Sequence, residues 1–420
     1  MTFLKLISFV FALIGTPLFL VIGGLALLSF SSADIDLSVV IIEMSRLAQS
    51  PMLISLPLFI FAGVLLSEGG APGRMLRFSS VFFYWLPGGT AVIALMVCAL
   101  FTAFTGASGI TIFALGGLLL PALTGDGYEE KFSMGLITSS GSLGLLFPPS
   151  LPLILYGVIA ETRIDHLFLA GILPGLLMLL LLMAYAIAKS PKQNQRSQQA
   201  AISKFRALRE VIWELPLPII LLGGIYGGFL VPSEAAAVTA LYVLIIETVV
   251  HRDIPLRQIP SIMATSMILF GGILVILAAS MASTNFLIDQ EVPTKLFTLL
   301  SAYIHSKYTF LLLLNLFLLL VGAMLDIFSA LVLVVPLILP VATGYGIDPL
   351  HLGIIFLTNM QIGYCTPPVG LNLFLASYRF DKPVTELYRA SLPFLILLLI
   401  TLVCITYLPW LSTVLISFAG

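Results

Sequence analysis

The sequence predicts an all-α polytopic membrane protein in which two inverted repeats each hold a re-entrant hairpin and a broken helix. Three observations predict it. Of 420 residues, 60% are hydrophobic and 9% charged, with a mean hydropathy of +1.13. Soluble domains are about 45–50% apolar and about 25% charged. The apolar runs are continuous and of membrane-spanning length, unlike the alternating strands of a barrel. One strongly polar stretch, "KSPKQNQRSQQAAISKFRALRE" (189–210), divides the chain nearly in half. A shift of 219 residues then superposes landmarks of the two halves: Pro121 on Pro340, "TGDG" (124–127) on "TGYG" (343–346), Gly144 on Gly363, Pro148 and Pro149 on Pro367 and Pro368, and Pro174 on Pro393. A fixed offset through so many Gly and Pro positions indicates an internal repeat.

The elements are taken in chain order. The run from 3 to 30 is too long for a signal-peptide core and has no clear cleavage site, so it reads as a retained first helix within N-terminal scaffold helices (1–70). The amphipathic stretch at 71–87, which opens with "APGRMLRFSSVFFYW", reads either as an arm helix along the interface or as a loop with apolar anchors. The first repeat's core occupies 88–188. The 189–210 loop carries Lys189, Lys192, Arg196, Lys204, Arg206 and Arg209, which places it in the cytoplasm. Central scaffold helices fill 211–291, with crossings near 211–231, 234–250 and 260–283. That puts "HRDIPLR" (251–257) inside, "YIHSKY" (303–308) outside and "YRFDK" (378–382) inside. A second arm or loop covers 292–307, and the second core covers 308–420. In "LLGGIYGGFLVP", Gly223, Gly224, Gly227 and Gly228 give overlapping GxxxG, read as a helix-packing face. Glu234 is expected in a helix's first turn, near the dipole.

The breaks point to function. In "KFSMGLITSSGSLGLLFPPSLPLILYG", Gly141, Gly144, Pro148 and Pro149 interrupt a helix that resumes after Ser150. Proline lacks the amide hydrogen and clashes with the preceding turn. Freed carbonyls inside a membrane are tolerated only where protein or a solvated cavity receives them. Such carbonyls can bind a cation, and the new helix N-terminus can face an anion. Serines 139, 140, 142 and 150 add hydroxyls. The second copy breaks around Gly363, Thr366, Pro367, Pro368 and Gly370, with Asn359, Gln361 and Asn372 nearby. Upstream of each break lies a segment with mid-run glycine: 88–123 with Gly106 and Gly109, and 308–343 with Gly322 and Asp326. Each is read as a hairpin of two half-helices rather than one kinked helix. Inverted repeats with Gly- or Pro-interrupted segments in matching places point to a secondary transporter.

Asp326 is the one Asp, Glu, Lys or Arg from Tyr308 to Ile347. It can ligand Na⁺, carry a proton or cap a half-helix. With so little fixed positive charge, an anion would be held by helix ends, hydroxyls and co-bound cations. Cys98, Cys365 and Cys404 fit no metal or disulfide spacing. His166, His251, His305 and His351 fall near loops or helix ends and read as solvated. Nucleotide loops, zinc motifs and nucleophile elbows are missing, as is the basic patch that nucleic acid needs.

The motifs "LPLFIFAGVLLSEGG", "FTGASGITIFALG", "GYEEKF", "FPPSLPLILYG", "LPGLL", "GAMLDIFSALVLVVPLILP", "GIDPLHLGIIF" and "GYCTPPVGLNLF" resemble, in order and over nearly the whole chain, the large membrane subunit of tripartite ATP-independent periplasmic (TRAP) transporters. The resemblance implies an elevator-type fold in a bacterial inner membrane and Na⁺-driven uptake of an organic acid, such as a C4-dicarboxylate or sialic acid. It also implies a periplasmic substrate-binding protein that delivers the acid and a separate small membrane subunit of about four helices. About two or more Na⁺ ions are expected as coupling ions. Carried over by residue, the first tip is Thr105, Gly106, Ala107 and Ser108, where the family usually reads like Ser-Gly-Ser-Ser; Ala107 lacks one hydroxyl. The expected first cation site is Thr105, Ser108, Gly141 and Gly144, and the second is Gly322, Asp326, Gly363 and Thr366. Ser108, Ser150, Thr366 and Asn372 are the expected substrate contacts.

Three rivals remain. A stand-alone Na⁺/organic-anion symporter would show Ser-Asn-Thr at the tips, which this chain lacks. A channel would leave the two hairpins without an evident use. An enzyme would need paired acids, bases or metal ligands beside the breaks, and there are none.

Overall fold

The computed structural model describes residues 16, 18–33, 35–48, 51–82, 88–191 and 209–419. Most of the basic loop, the start of the N-terminal run and the end of the first amphipathic stretch lie outside them. Among the described residues the regular structure is helical, with no strand. Four helices lead: α1 (Leu18–Ser32), α2 (Ser38–Ala48), α3 (Ser55–Glu68) and the amphipathic α4 (Ala71–Phe82). The first core comprises α5 (Gly89–Thr105), α6 (Ser108–Gly125), α7 (Glu130–Ser140), α8 (Leu151–Ile159) and α9 (Ile164–Ala188). Next come α10 (Pro216–Tyr226), α11 (Pro232–Ile245, continued by a π turn to Val250) and the long α12 (Ile259–Asp289). The second half comprises α13 (Val292–Tyr303), α14 (Lys307–Met324), α15 (Ile327–Gly344), α16 (Pro349–Gly363), α17 (Leu371–Phe380), α18 (Val384–Tyr407) and α19 (Trp410–Ala419).

The offset of 219 maps α4 through α9 onto α13 through α18, with helix starts shifted by no more than two residues. Both 71–82 and 292–303 are therefore helices rather than loops. Ser142 donates its hydroxyl to the Gln361 carbonyl at 3.3 Å, and these two residues are themselves 219 apart. The pseudo-two-fold axis thus passes between them.

Each of the two segments with mid-run glycine folds back on itself. Thr102 and Thr111 would lie about 13 Å apart along one helix, yet their hydroxyls bond at 2.6 Å. Thr90, at the start of α5, donates to Asp126 just past the end of α6. In the second hairpin, Lys307 donates to the Gly346 carbonyl at 3.0 Å. Length and composition alone would count Ser108–Gly125, Lys307–Met324 and Ile327–Gly344 among seven crossings. The base contacts show instead that each pair of limbs enters and leaves at one end.

The inversion is equally direct. Lys382, past the end of α17, pairs with Glu130 at the start of α7 (3.1 Å), while Tyr156 near the end of α8 donates to the Pro349 carbonyl at the start of α16 (2.6 Å). The two broken helices therefore run antiparallel.

An ion cluster fixes α4 to the central helices. Arg74 is 5% exposed and pairs with Glu214, Glu247 (2.7 Å) and Asp253. Burial works against its charge, but Glu214 and Glu247 overcome that and hold the guanidinium above its ordinary range. The amide of Gly70 also donates to Asp253 at 2.9 Å. His251 beside them is held below its ordinary range, by burial first and Arg74 second.

Two expectations change and a third holds. Gly223 and Gly228 meet no neighbour within 4 Å. They and Gly227 instead end α10: Gly228 takes φ +72°, and the Phe229 and Leu230 amides return to the Gly224 carbonyl. His351 is 3% exposed, bonded to Ser412 and the Thr406 carbonyl, rather than solvated; His251 is also largely enclosed, whereas His305 is exposed. Glu234 does sit in a first turn, where its carboxylate accepts from the Val231 amide at 3.0 Å.

Replacing Arg74 by Met should destabilise the protein by about 3–5 kcal/mol, because buried carboxylates lose their partner. Arg74→Met combined with Glu214→Leu and Glu247→Leu should recover most of that loss; thermal unfolding in detergent checks both. In the same assay Gly144→Ala should lower the unfolding temperature, since a Cβ there would stand 2.2 Å from the Ala99 carbonyl oxygen. Gly223→Ala, facing open space, should leave it unchanged or raise it.

Candidate functional site

The two hairpin tips and the two breaks converge on one cavity of about 300 Å³. Thr105 through Ile110 reach it from the first tip and Asp326 through Phe328 from the second. Leu145 and Leu151 flank it from the first break, Tyr364 and Leu371 from the second. Ile60 and Val64 of α3 and Leu269 and Ile273 of α12 close its scaffold side. Among the described residues no Lys or Arg lines it.

The first break begins where α7 ends at Ser140. Gly141 caps it, a 3-10 turn covers Leu143–Leu146, and the axis bends by 45° before α8 starts behind Pro148, Pro149 and Ser150. The freed carbonyls are mostly claimed. Gly141 accepts from the Thr102 hydroxyl at 2.9 Å, and Gly144 accepts from the Phe147 amide at 3.0 Å. Both glycines are places of close approach: a Cβ on Gly141 would strike Ile112, and one on Gly144 the backbone of Ala99 and Ala103. Neither glycine lines the cavity. Ser150 is fully buried, with its hydroxyl unpaired.

The first tip turns at Gly106, whose φ of +66° favours glycine. Thr105 and Ser108, 5% and 4% exposed, both line the cavity. The Thr105 hydroxyl has no partner.

In the second half, Asp326 caps α15: its Oδ1 accepts from the Phe328 and Ser329 amides, each at 3.0 Å, and its Oδ2 from the Ser329 hydroxyl. The same residue lines the cavity. Gly322 and Gly363 are pressed backbone to backbone where α14 crosses α16, away from the cavity lining. The Gly363 carbonyl accepts from the Thr366 amide at 2.9 Å, and the Thr366 hydroxyl is spent on the Ile362 carbonyl at 2.9 Å. Asn372 is fully buried; its amide nitrogen donates to the Thr138 carbonyl at 3.4 Å, leaving Oδ1 unpaired. The Pro148–Pro149 and Pro367–Pro368 bonds are cis, and the Pro368 carbonyl accepts from Tyr388 at 2.8 Å.

The structure thus brings Thr105, Ser108 and Asp326 to one cavity. It places Gly141, Gly144, Gly322 and Gly363 at helix crossings, and Ser150, Thr366 and Asn372 behind the lining. Two residues that sequence reasoning missed hold the arrangement together. Thr102 joins the two limbs of the first hairpin and the first break, and Tyr364 accepts from the Ile327 amide at 2.5 Å at the second tip. Thr102 had one signal, a hydroxyl in a mostly apolar limb, which Thr90 and Thr105 share. Tyr364 had none, because its partner is 37 residues upstream.

Residues 6–411 match the model of the DctM component of the tripartite ATP-independent periplasmic transporters. The chain belongs to that family. It is 34% identical over 401 residues to the C4-dicarboxylate TRAP transporter large permease protein DctM of Pseudomonas aeruginosa, covering 95% of this chain and 93% of that protein. It is 32% identical to the sialic acid TRAP transporter large permease protein SiaM of Vibrio cholerae, covering 85% and 84%. The fold resembles the crystal structure of the Alcanivorax borkumensis YdaH transporter, at TM-score 0.65 and 14% identity, over 91% of this chain and 88% of that one; at that identity the likeness concerns fold alone. This TRAP permease is therefore a multi-pass membrane transport protein rather than an enzyme.

Thr102→Val keeps shape but leaves the Gly141 carbonyl and the Thr111 hydroxyl short of a partner. It should cost about 1–3 kcal/mol, read as a lower unfolding temperature. Tyr364→Phe should cost a similar amount by orphaning the Ile327 amide. A variant as stable as wild type would mean that the tip is held by something else.

Proposed function

We propose that this TRAP permease carries an organic acid inward across a bacterial inner membrane, driven by a Na⁺ gradient. A periplasmic binding protein delivers the acid, and a small four-helix membrane subunit completes the assembly. The single observation that carries this reading is the cavity formed by both tips and both breaks. Its lining is mainly apolar, with the side chains of Thr105, Ser108, Asp326 and Tyr364 as the polar ones, and it has no Lys or Arg among the described residues. An anion entering such a space needs its counter-charge brought along, and a co-bound cation would supply that charge.

The donors present fit a hard cation, which prefers oxygen ligands. Thr105 Oγ1 is buried and unpaired, Ser108 lines the same space, and Asp326 keeps its carboxylate at the rim while capping α15. The glycines expected as carbonyl ligands act first as crossing points. The Gly141 and Gly363 carbonyls would have to be released from Thr102 and Thr366 before they could serve. Substrate contact falls more naturally to Ser108 and the cavity-facing backbone than to Ser150, Thr366 or Asn372.

An elevator movement suits the division of the molecule. The α4 arm is locked through Arg74 to the turn that ends α11, while α5 to α9 and α14 to α18 pack around the pseudo-two-fold axis. The cavity lies where that core meets α3 and α12. The end carrying Arg74, Lys131, Lys189, Arg252, Lys382 and Arg389 is assigned to the cytoplasm by the positive-inside rule. The word "tripartite" in the family description supports the two partners, and the names of the two relatives given above, a C4-dicarboxylate and a sialic acid transporter, support an organic acid as substrate.

Proteoliposomes holding this chain and its small subunit test the reading, with radiolabelled organic acids, with or without the binding protein, and with inward Na⁺ or K⁺ gradients. Uptake is expected only with Na⁺ and the binding protein together. Uptake indifferent to the binding protein would favour a stand-alone symporter. Thr105→Val should raise the Na⁺ concentration for half-maximal uptake about tenfold, equivalent to about 1.4 kcal/mol, with little change in unfolding temperature.

A further inference from the structure

A second crevice, of about 340 Å³, opens at the basic end between the start of α7, the end of α9 and the first turns of α18. Its wall is aromatic: Tyr128 stacks on Phe132 at 5.1 Å, and Tyr185 meets Phe394 edge-on at 5.3 Å. Lys131, Lys189 and Arg389 line it, and all three are exposed. Among the described residues none of the three has a carboxylate partner. Neighbouring charges are occupied: Lys382 holds Glu130, Arg379 donates to the Phe113 carbonyl at 3.0 Å, and Asp126 accepts from Thr90. Glu129 is the one carboxylate in the lining, so three cations against one anion leave a charge of +2.

The crevice continues into an apolar stripe. On α18, positions 389, 393, 396 and 400 share one helical face. Arg389 and Pro393 line the crevice, and Ile396 and Ile400 below them are 51% and 50% exposed. On α9, Lys189 and Tyr185 stand above Leu181 in the same way, and Leu181 is half-buried. Cations at the mouth, aromatic rings at the interface level and aliphatic side chains beneath form the profile of a phospholipid lying along two helices. Basic pockets between membrane helices at the cytoplasmic side hold anionic headgroups.

We propose that this crevice binds an anionic phospholipid, its phosphate between Lys131, Lys189 and Arg389 and an acyl chain along Ile396 and Ile400. A free phosphate compound shares the headgroup chemistry, but the apolar stripe would give it nothing. Placement in the cytoplasmic leaflet rests on the sidedness that the proposed function assigns; binding in detergent does not depend on it.

The test is native mass spectrometry of the delipidated protein titrated with phosphatidylglycerol, phosphatidylcholine or glycerol phosphate. Phosphatidylglycerol should bind at least tenfold more tightly than phosphatidylcholine. Each of Lys131→Gln, Lys189→Gln and Arg389→Gln should weaken it about fivefold, and the triple variant about a hundredfold, following roughly 1 kcal/mol for each charge. These side chains are exposed, so unfolding temperatures in zwitterionic detergent should match wild type; if the triple variant does not fold, the single variants decide. Equal binding of the two lipids, or charge-neutral variants that keep the preference, would overturn the proposal. Glycerol phosphate binding as tightly as phosphatidylglycerol would overturn its lipid part.

Discussion

A helix interrupted inside a membrane must hand its freed backbone groups to another part of the protein, and the rest of this structure depends on how that is done. The first break gives its Gly141 carbonyl to Thr102 of the facing hairpin. The second returns the Gly370 amide to the Ala323 carbonyl at 3.0 Å, and Tyr364 takes the Ile327 amide. Each hairpin is thus the solvent substitute for a broken helix. The two pairs meet across Ser142 and Gln361, so neither repeat is complete alone. Of the side-chain groups left unpaired after this exchange, the Thr105 hydroxyl belongs to a residue that lines the cavity, whereas those of Ser150 and Asn372 lie behind its lining.

The same economy explains where charge appears. The hairpin and break segments carry almost none, because an unpaired ion there would be costly. Asp326 is admitted because α15 supplies it with two amides and a hydroxyl. The buried ions gather instead at one end of the scaffold, where Arg74 is paired with three carboxylates from distant parts of the chain. That cluster fixes the arm by a geometric lock, whereas the contacts around the cavity are mostly apolar.

Much of this was legible in the sequence, since Gly and Pro mark backbone geometry directly. The offset of 219 predicted the element pairing, and the mid-run glycines at 106 and 322 predicted the folding-back of both hairpins. The proline pairs located both breaks. What was not legible depends on distant partners. Nothing local shows that Arg74 meets Glu247, 173 residues away, or that His351 is enclosed by Ser412 and Thr406. The glycines at 141, 144, 322 and 363 announced open backbone, but a glycine signals close approach as readily as a free carbonyl. The GxxxG run at 223–228 misled similarly: a helix end and a packing face use the same residue.

The inverted hairpins are the central claim, and labelling with a membrane-impermeant thiol reagent tests them most directly. Single cysteines would be placed at Thr90, Gly127, Ser306 and Gly346, none of them buried, in a background free of Cys98, Cys365 and Cys404. Thr90→Cys and Gly127→Cys should react from the cytoplasmic side alone, and Ser306→Cys and Gly346→Cys from the opposite side alone. Labelling of the first two positions from opposite sides would mean that 88–127 is one kinked crossing. The shared cavity, and the transport reading built on it, would then be contradicted.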